Sequence, residues 1–176
     1  MIEIKLLDFI RDKQFGPIKL GDPKQKVIDA LGEPDGYSNP DFNPVNNDAI
    51  LYDRFEFNFR NNHLHSISNG YVLDLRTWKF NRTFHYQNDR FKFTSWFKKT
   101  WIDTRLENFK RKLNEEGIHF KEEAFFDAMK LTVGEDFELL FSSEGSYHKE
   151  PGEWQKIHPE ILNLRFSQFF HFLPNK

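Results

Sequence analysis

Histidine is the residue type in this chain that most directly suggests chemistry, because an imidazole binds metal ions and transfers protons near neutral pH. Among the 7 histidines, His63 and His65 stand two apart on a predicted strand, so their side chains share one face, as metal ligands do. The sequence fixes no carboxylate beside them. The other histidines show no spacing typical of a ligand set: His85, His119, His148, His158 and His171. The sequence therefore predicts no metal site and leaves the role of His63 and His65 open.

Motifs that mark a catalytic site are missing from the sequence. It contains no H-E-x-x-H, no G-x-S-x-G and no glycine-rich phosphate loop, and with no cysteine it has no thiol nucleophile. The members of the carboxylate pairs Glu115-Glu116 and Glu122-Glu123 are neighbours in sequence. In a catalytic acid–base pair the two carboxyl groups face each other across a cleft. The sequence thus predicts a protein that binds a partner without chemistry and without a cofactor.

A basic and aromatic segment spans residues 76–101, with 7 Lys or Arg, 1 acidic residue and nine aromatic rings. Lysine and arginine neutralise phosphates and aromatic rings stack on bases, so the segment can bind single-stranded nucleic acid. Two alternatives stay open. The segment is an amphipathic connection with its rings in the core, or it is a protein interface. Nucleic acid is the less favoured partner.

An acidic stretch from Glu115 to Glu153 suits a basic partner, because complementary charge speeds encounter. Aromatic residues within it supply anchors for such an interface. The alternative is an ordinary solvated charged face. The predicted partner-binding residues are Glu122, Glu123, Phe125, Phe126, Glu135, Asp136, Glu138, Glu144, Tyr147, Glu150, Glu153 and Trp154.

Two capped helices are predicted, one in each half of the chain. Asp22 and Pro23 fit the N-cap and first position of a helix that stops at Gly32. Thr104 and Glu107 form a capping box that opens a second helix, which stops at Gly117. The run 15–20 before the first helix is predicted as a short edge strand.

Strands follow each helix, because apolar and polar residues alternate with a period of two. In the first half, Phe55, Phe57 and Phe59 mark a strand, a turn at Asn61-Asn62 leads to a return strand over 63–68, and a third strand spans 71–76. In the second half, strands over 127–133 and 136–142 flank a turn at Gly134-Glu135, and a last strand follows residue 161. The repeated plan predicts an α+β fold: one compact body, 1–176, of two similar helix-on-antiparallel-sheet units, 1–75 and 102–176, joined by 76–101.

Composition places this body in the cytoplasm. The chain has 176 residues and a net charge of −2, and its 21 Phe are predicted to be mostly core. A small secreted protein depends on disulfides, which a chain without cysteine lacks. The acidic start resembles no signal peptide, and no stretch approaches the roughly 20 apolar residues of a membrane helix.

Residues of the first half resemble a known fold family. Gly21, Val27 and Leu31-Gly32-Glu33-Pro34, followed by an aromatic strand pair, are similar to the β-lactamase-inhibitory-protein-like fold over residues 16–68, and the plan of 104–142 is similar more loosely. The resemblance implies tandem helix-plus-sheet units and a broad sheet face that grips proteins. Since the secreted inhibitor of that family has disulfides and this chain has none, inhibition of a β-lactamase is not implied.

The chain also resembles, in size and composition, the bacterial immunity proteins that neutralise a cognate toxin. This resemblance implies a protein-binding inhibitor, with a basic nuclease toxin as partner, that acts by occluding the toxin's site. The alternative prediction is a nucleic-acid-binding accessory protein that uses residues 76–101. The oligomeric state is left open.

Overall fold

The structure of the chain is a computed structural model that describes residues 1–37, 48–53, 55–69, 86–97, 103–125, 128–142 and 165–173, without the side chains of 48, 142 and 165–168. Within these residues it has three short helices: α1 (Leu6–Asp12), α2 (Lys24–Leu31) and α3 (Leu106–Glu115). The strands are β1 (Ile2–Lys5), β2 (Gly36–Tyr37), β3 (Asp48–Tyr52), β4 (Phe55–Arg60), β5 (His63–Asn69), β6 (Tyr86–Gln87), β7 (Phe91–Thr94), β8 (Lys121–Phe125), β9 (Ala128–Val133), β10 (Phe137–Ser142) and β11 (Arg165–Phe172).

Eight of these strands form one antiparallel sheet in the order β2-β3-β4-β5-β11-β10-β9-β8. The last strand, β11, lies between the two halves of the chain. It pairs with β5 on one side, where Phe170 stands opposite Ser68, and with β10 on the other, where Phe170 stands opposite Glu138. The hydrogen-bonded ladder is therefore continuous from the first half to the second.

The predicted α+β fold class of two similar helix-on-sheet units is wrong. The described residues are mostly β, 48% strand against 23% helix, and the strands of both halves share one large sheet. The alternation in β4, β5, β9 and β10 was interpreted correctly, but it assigns residues to a face and carries no signal about which distant strand lies alongside. The helices are also too short to cover the sheet by themselves.

A second, three-stranded sheet was not predicted from the sequence. Its order is β1-β7-β6, with β1 parallel to β7 so that Ile2 stands opposite Phe91. It packs on the inner face of the large sheet, where the ring centroids of Phe93 and Phe55 are 4.6 Å apart. Helix α1 follows β1 directly and was also missed. The start of the chain thus supplies cover that the predicted helices do not.

Phenylalanine fills the space between these layers, which confirms the prediction of a Phe-rich core. Phe15 is fully buried, and its ring lies within 5.8 Å of the rings of Phe9, Phe55, Phe57, Phe91 and Phe93. Most of these contacts are edge-to-face or tilted, the arrangements that the aromatic quadrupole favours. The core is continuous, since residues of both halves belong to a single buried cluster.

Local signals were mostly read correctly, with shifts at the helix starts. Helix α2 begins at Lys24, and the Asp22 carboxylate accepts from the amide of Lys19 instead of capping the first turn. Helix α3 begins at Leu106 with Arg105 at the N-cap, one residue after the predicted Thr104. The run 15–20 contains only an isolated bridge between Phe15 and Ile18. The helix stops at Gly32 and Gly117 and the turn at Asn61-Asn62 are confirmed by positive φ angles.

Most of the remaining strand predictions are confirmed, and one cannot be compared with the structure. The strands predicted over 63–68, 127–133 and 136–142 are confirmed as β5, β9 and β10 within two residues. The strand predicted over 71–76 lies outside the described residues. In the part of the chain that the structure describes, no helix has the length and apolar character needed to cross a membrane.

The junction between the two halves, where β5 pairs with β11, leads to a testable prediction. The side-chain oxygen of Asn69, a residue that is 3% exposed, accepts a hydrogen bond of 2.7 Å from the backbone N–H of Phe169. Because Asn69→Ala leaves that buried amide without its acceptor, we expect the free energy of unfolding to fall by about 1–3 kcal/mol in urea titrations. Asn58→Ala, on the half-exposed outer face of β4, is the matched control and should change it by about 0.5 kcal/mol or less. Equal losses in the two variants would contradict a role for Asn69 at the junction.

Candidate functional site

The predicted partner-binding residues start on β8, which lies at one end of the large sheet. All five of its residues are exposed, and the Phe125 side chain is 39% exposed although it is apolar. Along the edge that is directed toward the middle of the sheet, β8 pairs with β9, with Glu123 opposite Lys130 and Phe125 opposite Ala128. We call the exposed region formed by Lys121–Phe125, Lys130 and Glu138 the edge surface.

Alternation along β8 sends its carboxylates to opposite faces of the sheet. Glu122 lies on the side of α3, where its carboxylate is 2.7 Å from the Lys110 ammonium. Hydrogen bonding to Glu122 is the main reason that the pKa of Lys110 is raised. Glu123 and Phe125 lie on the outer face. A partner that meets β8 at its edge would therefore find one anchored carboxylate on each side.

Lys130 organises the outer part of the edge surface. Its ammonium is 2.6 Å from Glu123 and 2.8 Å from Glu138, and it lies 5.3 Å from the centroid of the Phe125 ring. Hydrogen bonds to Glu123, and then to Glu138, raise its pKa, so the ammonium stays charged. One cation thus holds two carboxylates and a ring in place. This role of Lys130 was not predicted from the sequence, although its position opposite Glu123 follows once the two strands of the hairpin are aligned.

Two of the predicted partner-binding residues, Glu135 and Asp136, lie at the turn between β9 and β10 and have different surroundings. Glu135 is exposed at the turn. Asp136 instead faces the body, where its carboxylate is 3.3 Å from both the Lys13 ammonium and His171 Nε2. Lys13 also donates to the carbonyl of Val133. These contacts tie the end of α1 to the turn and orient the carboxylate of Asp136, a residue whose side chain is 28% exposed, toward the body.

His171, which contacts Asp136, is a buried base and is 1% exposed. Burial among aromatic rings, with Phe137 at 5.4 Å, lowers its pKa to about 4, and the nearby Asp136 offsets this only in part. The ring is therefore neutral at pH 7, with Nε2–H donating to Asp136. Its Nδ1 has no hydrogen-bond partner in the described part of the chain. Lys13 supplies the positive charge that balances Asp136.

The remaining predicted partner-binding residues cannot be placed. They lie outside the described residues: Phe126, Glu144, Tyr147, Glu150, Glu153 and Trp154.

Aromatic rings from the described part of the basic segment, 86–97, lie in the core. Phe91, Phe93 and Phe97 are buried, and Trp96 is half-buried with its ring 4.7 Å from Phe109. Rings used in this way are not free to stack on bases. Of the three interpretations left open for residues 76–101, the described residues therefore favour the one in which aromatic rings enter the core.

The paired histidines are not brought together with other ligands. His63 Nδ1 is 2.9 Å from the carbonyl of Asn61. His65 is half-buried, and burial is the main cause of its lowered pKa. Over the described ranges, no group of three or more His, Asp or Glu side chains can hold a metal ion.

Two aromatic residues near the edge surface were missed from the sequence. Phe170 and Phe172 are half-buried on the outer face of β11, whereas Phe169 and His171 face the core. Because apolar residues occur at consecutive positions, the alternation there does not distinguish the two faces. The outer face of the sheet therefore has aromatic character between its acidic groups.

Scans against protein-family models, curated proteins and solved structures found no match to the chain. The resemblance to the β-lactamase-inhibitory-protein-like fold therefore stays a prediction.

The burial of His171 leads to a prediction of how the stability of the fold depends on pH. His171 has a pKa of about 4 in the folded chain and about 6.5 when unfolded. As pH falls between these values, only the unfolded chain gains this proton, so the free energy of unfolding falls by up to about 3 kcal/mol and then levels off.

His171→Phe removes this contribution while keeping a ring in the core. Urea unfolding at about pH 7 and about pH 4 should therefore show a smaller loss in the variant than in the parent. The control, His119→Gln at an exposed histidine, should keep the parent's loss. If His171→Phe keeps it too, the buried neutral histidine is not its source.

Proposed function

We propose that this chain is a protein-binding inhibitor of the immunity-protein type. Its partner is a toxin domain, a basic nuclease, and it acts by occluding the toxin's nucleic-acid site without chemistry. The observation that supports this most is the edge surface, where an exposed strand has Glu123 and Phe125 on its outer face and Glu122 on the side of α3. An exposed aromatic side chain beside fixed charges is typical of a protein interface.

The charge of the surrounding sequence favours a basic partner. Residues 115–153 contain eleven acidic residues and three lysines. Part of this charge is balanced inside the chain, because Lys110 pairs with Glu122 and Lys130 with Glu123 and Glu138. The segment as a whole remains acidic, which suits a nuclease that must be cationic to hold nucleic acid.

The internal ion pairs do not prevent these carboxylates from binding a partner. A carboxylate has about four lone-pair positions, and the Glu123 side chain is 57% exposed while its oxygen contacts Lys130. The ion pair restricts the side chain, so less conformational entropy is lost when a second cation binds. The edge surface is thus prepared for arginine or lysine from a partner.

The nucleic-acid alternative has less support. Its segment contributes Phe91, Phe93 and Phe97 to the core, so these three rings are not available to stack on bases. No observation on the described residues favours it over protein binding.

The experiment is capture of the tagged chain from its native cells at natural abundance, followed by mass spectrometry and an activity assay of what is captured. We expect one stoichiometric, basic protein whose nuclease activity is abolished by adding the purified chain. Recovery of nucleic acid, of no partner, or of a partner whose activity is unchanged would overturn the proposal.

Charge reversal tests whether the acidic surface guides this association. Glu123→Lys combined with Glu135→Lys should lower the association rate constant for the captured partner about tenfold or more at low salt, with a smaller effect at high salt, because long-range attraction is screened. Stopped-flow or biosensor kinetics measure this. The matched control is Glu3→Lys with Glu33→Lys, which changes the net charge equally at exposed positions on β1 and just before β2. Equal slowing in both double variants would mean that only net charge matters.

A further inference from the structure

We propose that β8 binds its partner by strand addition: an extended basic segment of the partner protein pairs with the outer edge of β8, which among the described strands pairs only with β9. This inference rests on the proposed protein-binding function and adds its mode. Strand addition combines backbone hydrogen bonds, which supply affinity, with alternating side-chain contacts, which supply specificity.

The geometry of β8 leaves its outer edge available. Among the described strands it pairs only with β9, and in an antiparallel pair alternate residues direct their amide and carbonyl groups away from the neighbour. All five residues of β8 are exposed, including Glu122 and Ala124 on the inner face. In β9 the corresponding inner residues are Leu131, which is buried, and Met129, which packs against the core. Strand β8 therefore projects beyond the core.

Strand β8 also lacks two features that commonly prevent edge pairing. Its register with β9 runs without a shift from Lys121 to Phe125, so there is no bulge, and it contains no proline. The opposite edge of the described sheet differs, since β2 has only two residues. Short strands, bulges, prolines and charged side chains are the usual protections of an edge. Strand β2 has the first of these, whereas β8 has only charged side chains.

The charges of β8 select the occupant. A second copy of β8 in antiparallel register centred on Glu123 would place two Glu123 carboxylates opposite each other, and like charges at directly opposite positions destabilise a strand pair. A strand with basic residues at two consecutive positions places one beside Glu122 and the other beside Glu123, on opposite faces. An apolar residue two positions before that pair meets the Phe125 ring. The like charges disfavour a second copy in that register, and the two carboxylates favour a basic, extended protein segment as the occupant.

The probe is a capped heptapeptide, Thr-Val-Thr-Arg-Arg-Thr-Val, whose antiparallel register gives these contacts. Two further peptides have the same sequence with N-methyl groups at alternate residues, either the odd or the even set. Because a strand directs only alternate amides to one neighbour, one set should weaken binding about tenfold or more and the other should leave it nearly unchanged. Both controls keep the same side chains and charge.

Binding is measured by NMR titration of the isotope-labelled full chain. We expect the unmodified peptide to shift the amide signals of Lys121–Phe125 and to slow the exchange of the outward-facing amides. The Glu122→Lys and Glu123→Lys double variant should weaken binding about tenfold or more, and Glu115→Lys with Glu3→Lys, at exposed positions on α3 and β1, should weaken it less. The absence of shifts up to about 5 mM peptide, shifts only elsewhere, or equal loss with both N-methyl patterns would overturn strand addition.

The outcomes separate this inference from the proposed function. If the chain captures and neutralises a basic toxin but the peptide fails as described, the inhibitor function stands and strand addition is overturned. If the peptide binds β8 with the expected N-methyl pattern but the captured material contains no basic toxin, the edge binds strands and the immunity-type function is overturned.

Discussion

The pairing of β11 with both β5 and β10 is the constraint on which the rest of the structure depends. A strand that is hydrogen-bonded on both edges fixes the register of the first half against the second. Its inner face then places Phe169 within 5.4 Å of Phe9 and 6.3 Å of Phe55. Without this strand there would be two small sheets, each with an apolar face and short helices. With it there is one inner face, which a single aromatic core covers.

The abundance of phenylalanine follows from this arrangement. A broad sheet needs a second layer, and here the layer combines three helices of at most ten residues with a three-stranded sheet. Such mixed elements leave gaps of irregular shape. Large, flat rings in edge-to-face contact fill them at a low cost in side-chain entropy, because a ring has only two rotatable bonds. Phe15, which stands on no helix or strand, meets rings from both sheets.

The sequence predicted local features better than their assembly, for a physical reason. Alternation and turn residues identified β4, β5, β9 and β10, because the signals lie within each strand. The first-half partner of β11 is β5, whose paired residues are more than a hundred positions away. A partner at that distance leaves no local signal, so the fold class was wrong. The same limit applies to the site. Glu122, Glu123 and Asp136 were all predicted as partner contacts, but only the structure shows that Asp136 is paired with Lys13 and His171.

The edge surface is consistent with a site that is kept ordered before its partner arrives. Glu122 is held from the side of α3 by Lys110 and Glu123 from the outer face by Lys130, so both carboxylates have fixed positions relative to the β8 backbone. A charged pair at a sheet edge usually serves to prevent pairing. Here the charges prevent pairing only with acidic or identical strands, while the backbone stays accessible. The same residues that exclude a second copy therefore define which strand is accepted, because specificity is a difference between two affinities.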